Sequence, residues 1–392
     1  MNGPNALLTH DQLSRLTREL RATPVLSVYI DGAAPDPARR LAWRQTLRNA
    51  LDDARSWAES QPKASREAFD RCRQSLTAAL DEIPSAIGSP GWVGFFTAEG
   101  MHLHGPVPTP MPTLVKWQVG PWVAPFVRAL KQIRPVIVVV VDTRSAALYR
   151  YHRGELTDLE QLHSHRHGGH ADHMGDAPRE HFHGGTRGET ATDAAEHARL
   201  AARDHMLREI THRFQELLND DGVAVIGGAP DTAHALHRAI PAALAPRVLV
   251  SVDLPMGSSR AEIARAAERD AKILRDSRDA AAVERVLSLA GSHGRGVTGA
   301  KETLAVMSTG EGRQLLITPR FLAEHPDEAE AAVEFALDHA ADIEVLSGDA
   351  AARLDASVGG IGASLRFALG PHPSESRGPQ RSDDSLAGHV AV

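Results

Sequence analysis

The chain holds one cysteine, Cys72, in 392 residues. That scarcity excludes a disulfide framework and fits a reducing compartment, where Cys72 is most simply a small buried hydrophobe. Long apolar runs are missing as well. The β-branched stretch from Val136 to Val141 is too short to cross a bilayer, and Met1-Asn2-Gly3-Pro4-Asn5 has no charged and apolar leader. A cytoplasmic protein without membrane contact is expected. Positive charge is not in excess: the formal net charge is −7, so nucleic-acid binding has to be confined to local patches. No Gly-Lys-Ser or Gly-Lys-Thr occurs, which removes a P-loop, and no cofactor is expected.

What is present is organised around Pro135 to Leu218. Val136 to Val141 reads as a strand buried on both faces. Ala146 to His152 gives a second strand, and Arg153-Gly154 turns the chain. From His163 to His183 there are seven histidines among Gly, Asp and Ser, a composition that builds no core and belongs on the surface. This segment ends His183-Gly184-Gly185-Thr186-Arg187-Gly188. Thr192 or Asp193 is then placed to cap a helix with Ala198, Ala202, Met206, Ile210, Phe214 and Leu217 along one side.

Around this stretch the pattern predicts an α/β protein of three domains, each a small mixed or mainly parallel sheet with flanking helices. Residues 1–125 form an N-terminal α/β domain, 126–257 a central one and 258–370 a C-terminal one, with a polar tail over 371–392 expected to be disordered. In the first domain a helix carrying Leu13, Leu16 and Leu20 precedes the strand Val25 to Asp31. Helices are predicted over 38–59 and 65–83, and a hairpin turning at Glu99-Gly100. Its His102 and His104 are placed on a solvated strand face. Prolines from Pro106 to Pro112, then Val119 to Trp122, suggest irregular chain leading to a border near Pro125. After the central helix, strands at 222–228 and 247–252 flank a helix at 231–240. Gly227-Gly228 lacks the third glycine of a dinucleotide fingerprint and reads as a tight strand-to-helix turn. A long helix over 258–289 bridges to the last domain, where Gly359, Gly360 and Gly362 allow a sharp entry into the final strand.

The histidine cluster offers metal-binding chemistry. His163, His165, His167, His170 and His173, with His181, His183, Asp172 and Asp176, supply enough donors for zinc or nickel. A flexible Gly-rich tract does not fix a coordination geometry, so no specific metal site is expected and a metal-binding stress protein is the lesser alternative. A hydrolase using His and Asp of this loop, or a solvated insertion without function, are further readings. Neutral imidazoles can also stack on bases, and protonated ones strengthen phosphate contacts.

Four features together resemble the archaeal and eukaryotic class-one release factor and Pelota family. They are the three-part order, the strand pair Val136 to Tyr151, the Gly-Gly loop before a long Arg-bearing helix, and the ending Ala341 to Ser347 followed by Gly359-Gly360-Ile361-Gly362. The resemblance is to the bacterial branch that includes Balon-like ribosome hibernation factors, and it covers roughly residues 5–370. It implies a ribosome-binding factor whose central loop enters the large-subunit catalytic centre, where family release factors present Gly-Gly-Gln to peptidyl-tRNA. The matching positions are Gly184, Gly185 and Thr186. Threonine is short, branched and stiff where the family has glutamine, which favours occupancy of the A site in hibernation over hydrolysis in rescue. The backbone N–H of Thr186 leaves peptidyl-tRNA hydrolysis as the enzyme alternative. None of the family's stop-codon motifs is found. On this resemblance Arg15, Arg18, Arg39, Arg40, Arg44, Arg48, His183 and Arg187 are the candidate rRNA contacts, and a translational GTPase such as elongation factor Tu is the implied partner of the third domain. Residues 1–50 carry seven arginines against four acids, which gives the first of these contacts their electrostatic basis.

Overall fold

In a computed structural model of the chain, the residues described are 10–33, 42–83, 87, 89–107, 109–152, 154–164, 191–218, 222–291 and 294–367. They form a mixed α/β structure with three small sheets. The first sheet is wholly antiparallel, in the order β3-β2-β1-β4, where β1 is Pro24–Asp31, β2 Gly91–Thr97, β3 Gly100–Val107 and β4 Leu114–Val119. Alternation along β1 decides what covers each face. Leu26, Val28 and Ile30 pack against Trp43 and Leu47 of α2 (Ala42–Glu59) and Phe69, Cys72 and Leu76 of α3 (Lys63–Asp81). Val25 and Tyr29 point the other way, toward Leu13, Leu16 and Leu20 of α1 (His10–Leu20). Cys72 is fully buried, as its expected role requires.

The second face of that sheet is closed by the far end of the chain. Its core continues through Trp122 and through Phe126 of α4 (Ala124–Ile133) into Ala329, Val333 and Ala336 of a C-terminal helix, so the first and last thirds share one apolar core. β4 falls within the stretch expected to be irregular, and α4, which was not anticipated, begins at the border expected near Pro125. Pro125 stands in the first turn of α4, where the missing N–H costs no hydrogen bond, so it starts a helix rather than ending order.

The central sheet runs β7-β6-β5-β8-β9. β5 (Val136–Val141), β6 (Ser145–His152) and β7 (Glu155–His163) are antiparallel neighbours, while β5, β8 (Val223–Gly228) and β9 (Val248–Val250) are parallel. Ile137, Val139 and Val141 face α5 (Ala191–Leu217) and α6 (Pro230–Ala239). Val136, Val138 and Val140 face Ile263, Ala267 and Leu274 of α7 (Arg260–Gly291). Within the described residues α5 is helical from Ala191 onward, so Thr192 and Asp193 lie inside the helix rather than at its cap. Gly228 has φ 108° and donates its N–H to Leu254 O at 2.7 Å. A Cβ there would lie 2.0 Å from Val141 O, and one on Gly227 2.5 Å from Leu254. Close backbone packing explains this glycine pair.

The third sheet has the order β10-β13-β11-β12, with β10 Gly296–Thr298, β11 Gly312–Ile317, β12 Asp342–Val345 and β13 Ile361–Leu365. The second half of α7 and α11 (Gly348–Val358) cover one face. α8 (Ala300–Ser308), α9 (Pro319–Glu324) and α10 (Pro326–Asp338) cover the other. Gly359, at φ 76°, ends α11 in the left-handed region, and the N–H groups of Gly359 and Gly360 bond back to Asp355 O and Leu354 O. Helix α7 therefore serves two sheets, its first half the central one and its second half the third.

Candidate functional site

The loop singled out in the sequence springs from one end of the central sheet. β5 ends there at Val141, β6 starts there with Ser145 paired to His163, the last residue of β7, and β8 ends beside Val141 at Gly228. This is the carboxyl edge of the parallel strands, the edge where open α/β sheets place their functional loops. The N–H of Ser164 bonds Arg144 O at 2.7 Å and anchors the departing chain. Ser145, Tyr149, His163, Met256 and Ser258 line a cleft of about 220 Å³ at this edge. His165, His167, His170, His173, His183, Gly184, Gly185, Thr186 and Arg187 lie outside the described residues.

The chain returns through α5, 27 residues and so about 40 Å long. Among its described side chains, Met206, Leu207, Ile210 and Phe214 are buried. These residues pack in the core of the central sheet. Among the described residues no group of three or more His, Cys, Asp or Glu is arranged to hold a metal ion, and no helix is long and apolar enough to cross a membrane.

The candidate arginines of the first domain divide into two sets. Arg15 and Arg18 are exposed on α1, and Arg44 and Arg48 are exposed on α2. Because α1 and α2 cover opposite faces of the first sheet, the two pairs do not form one patch. Arg44 stacks over the Trp43 ring at 5.2 Å. Arg39 and Arg40 fall outside the described residues. In the hairpin, His102 is exposed with its Nε2 2.8 Å from Thr97 Oγ1, whereas His104 is half-buried beside the Trp92 ring.

Two buried charged sites fix α4, and with it the entry to the central sheet. Lys131, 8% exposed, places Nζ 2.5 Å from Asp279 of α7 and 2.8 Å from Glu344 of β12, and donates to Val345 O at 3.0 Å. Asp279 also accepts the N–H and Oγ–H of Ser347 at 3.0 and 2.9 Å. Burial raises the Glu344 carboxyl, but Arg134 and Lys131 outweigh it and hold the group below its ordinary range. At the other end of α4, Glu330 of α10 accepts the N–H groups of Val123 and Ala124 at 2.6 and 2.7 Å. A carboxylate there satisfies orphan donors and complements the helix dipole. Burial nevertheless pushes its pKa up to about 8 against those two bonds. Tyr29 adds a bond from its hydroxyl to Trp122 O. Neither Lys131 nor Glu330 was singled out from sequence. The readable signal was a charge set among apolar positions, as in Phe126-Val127-Arg128-Ala129-Leu130-Lys131.

Residues 121–272 match the family described as bacterial archaeo-eukaryotic release factor family 10. The matched span contains α4, the whole central sheet and the first half of α7. Solved structures with similarity include an archaeal translation termination factor, aRF1, at 18% identity over 92% of this chain and 99% of that one, with a TM-score of 0.24. Archaeoglobus fulgidus Pelota is 16% identical over 71% of this chain and 79% of its own, at a TM-score of 0.32. Dom34 of S. cerevisiae, a translation termination-like factor interacting with Hbs1, is 12% identical over 60% and 63%, at 0.41. No curated protein matches the chain.

Proposed function

We propose that the chain is a ribosome-binding factor that occupies the A site in hibernating ribosomes without hydrolysing peptidyl-tRNA. The observation that supports this reading best is the family match over residues 121–272, taken with Gly184-Gly185-Thr186 at the position of the family's Gly-Gly-Gln. The chain leaves the central sheet after His163, where Ser164 is held by Arg144, and re-enters it through α5. That mounting suits a segment delivered into a confined RNA cavity. Paired glycines permit close backbone approach there, while Thr186 lacks the reach to position a water.

In this reading the first domain, residues 1–125, faces the small subunit and contacts rRNA through exposed arginines. The central domain, 126–257, brings the loop to the large-subunit catalytic centre, and the third, 258–370, meets a translational GTPase such as elongation factor Tu. The protein acts in the cytoplasm. Co-sedimentation with purified ribosomes, followed by release of labelled peptide from stalled complexes, tests both parts. Pelleting without release is expected. Pelleting with efficient release makes the chain a rescue hydrolase, and failure to pellet removes the ribosome from the model.

A further inference from the structure

The helical layer over one face of the central sheet has an unusual distribution of titratable groups. Helices α5 and α6 lie side by side on the Ile137-Val139-Val141 face. Their outward positions hold His197, His205, His212 and His234 exposed and His237 half-buried. Along α5 the intervals from His197 to His205 and from His205 to His212, eight and seven residues, return each to the same side of a 3.6-residue helix. Arg208 falls between the last two on that side. Helix α7, on the opposite face, contains no histidine.

The other charges of the layer are closely matched. It contains five arginines and six carboxylates. Arg203 lies 3.3 Å from Asp204, and Arg208 donates to the backbone oxygen of Asp204 at 3.2 Å. Arg213 sits between Glu160 of β7 and Glu216, at 2.9 and 2.7 Å. Glu216 also lies 3.5 Å from His212 Nδ1, Glu209 is one turn from His205, and Asp231 and Arg238 flank His234 on α6. With neutral imidazoles the layer is near neutrality. Five protonated imidazoles make it strongly cationic.

We propose that the outward face of α5 and α6 is a polyanion-binding surface for RNA phosphates whose charge is set by pH through His197, His205, His212, His234 and His237. The inference rests on the ribosome reading for its biological ligand, and adds a regulation to it: attachment tightens as the surroundings acidify. RNA is the partner favoured because protonation turns the face into a row of separated cations about 20 Å long, from His197 to His212 at 1.5 Å per residue. Such a row suits a repeating phosphate backbone rather than a single anion.

The test measures binding of the full chain to a short RNA duplex by fluorescence anisotropy, and to purified ribosomes by pelleting, at pH 6 and pH 8 over a range of salt. The natural chain is expected to bind the duplex at least tenfold more tightly at pH 6, with a steeper salt dependence. The variant H197Q/H205Q/H212Q/H234Q/H237Q, which keeps every loop histidine, should retain the pH 8 affinity and lose most of the gain. The pair H205R/H212R should bind at pH 8 more nearly as the natural chain does at pH 6. A pH gain that survives the fivefold change overturns the proposal. So does equal duplex binding at the two pH values. Pelleting that ignores pH in the natural chain also counts against it while leaving the ribosome reading intact. Duplex binding with the expected behaviour but no pelleting at either pH supports the surface and removes the ribosome as its ligand.

Discussion

Lys131 Nζ lies 2.5 and 2.6 Å from the two carboxylate oxygens of Asp279, and neither residue is more than 8% exposed. The pair joins α4, which leads into the central sheet, to the point on α7 where packing passes from the central sheet to the third. Glu344 and Ser347 of the C-terminal third complete it. The contact therefore sets how the central sheet is carried by the rest of the molecule. A charge pair suits that task because its partners must meet in one geometry to offset desolvation, whereas apolar surfaces pack in several.

Breaking this pair should be costly. Lys131→Met leaves Asp279 and Glu344 with less compensation in a buried place, and a loss on the order of 3–5 kcal/mol is expected. Lys131→Met combined with Asp279→Leu should lose less than the sum of the single changes, because the second removes the stranded charge. Urea denaturation of the three variants measures this. Additive losses below about 1 kcal/mol each, as for exposed pairs, would show that the network does not bear on stability.

Glu330 gives a pH dependence with a defined sign. Its folded pKa is raised to about 8 from 4.5, so between these values the folded state holds a proton that the unfolded chain has released. The stability it contributes is complete below the unfolded value and is lost as pH rises through about 8. Glu334 and Asp338 on α10, Arg21 after α1 and Lys116 on β4 surround this site, and Tyr29 faces it from β1. The difference in denaturation midpoint between the natural chain and Glu330→Gln should shift against the natural chain from pH 5 to pH 9. A difference that stays constant over that range would refute the protonated buried carboxyl.

The opposite placement of the two arginine pairs makes a further prediction. A single flat RNA contact cannot use both faces of the first sheet. Arg44→Glu with Arg48→Glu is expected to weaken ribosome pelleting and to reduce the salt slope by roughly 1–2. Arg15→Glu with Arg18→Glu, on the face shared with the C-terminal third, is expected to leave both nearly unchanged. Equal effects from the two pairs would mean that the ribosome wraps the first domain or that the effects are nonspecific.

The parts of this fold legible in sequence were those with a strong period. β5 is six consecutive β-branched residues, and the buried side of α5 follows Met206, Ile210 and Phe214 at fourfold spacing. The missed elements lacked such a signal. β7 is an edge strand with most of its side chains in contact with solvent, so no clear alternation marks it. β10 is three residues long and α9 six. β4 and α4 were hidden by nearby prolines, which stand outside the strand and in the first turn of the helix. At the site, the loop's chemistry could be read from composition, but the separation of Arg15 from Arg44 could not. It depends on which face of β1 each helix covers, and that follows from tertiary pairing alone.

On the proposed ribosome reading, the central loop decides between a factor that occupies and one that hydrolyses. Thr186 follows Gly184-Gly185 and presents a short β-branched side chain with one hydroxyl, which cannot extend toward a leaving oxygen as a glutamine amide does. The natural chain should therefore occupy ribosomes and release no labelled peptide. Thr186→Gln is expected to introduce measurable release, because the glycines already allow the approach and the amide supplies the missing donor and acceptor. Gly185→Val should hinder entry of the loop if its backbone takes angles open only to glycine, while pelleting persists through the other domains. Efficient release by the natural chain, abolished by Gly185→Val, would instead assign hydrolysis to the backbone N–H of Thr186. A Thr186→Gln chain that pellets normally and still releases nothing would place the block elsewhere in the loop.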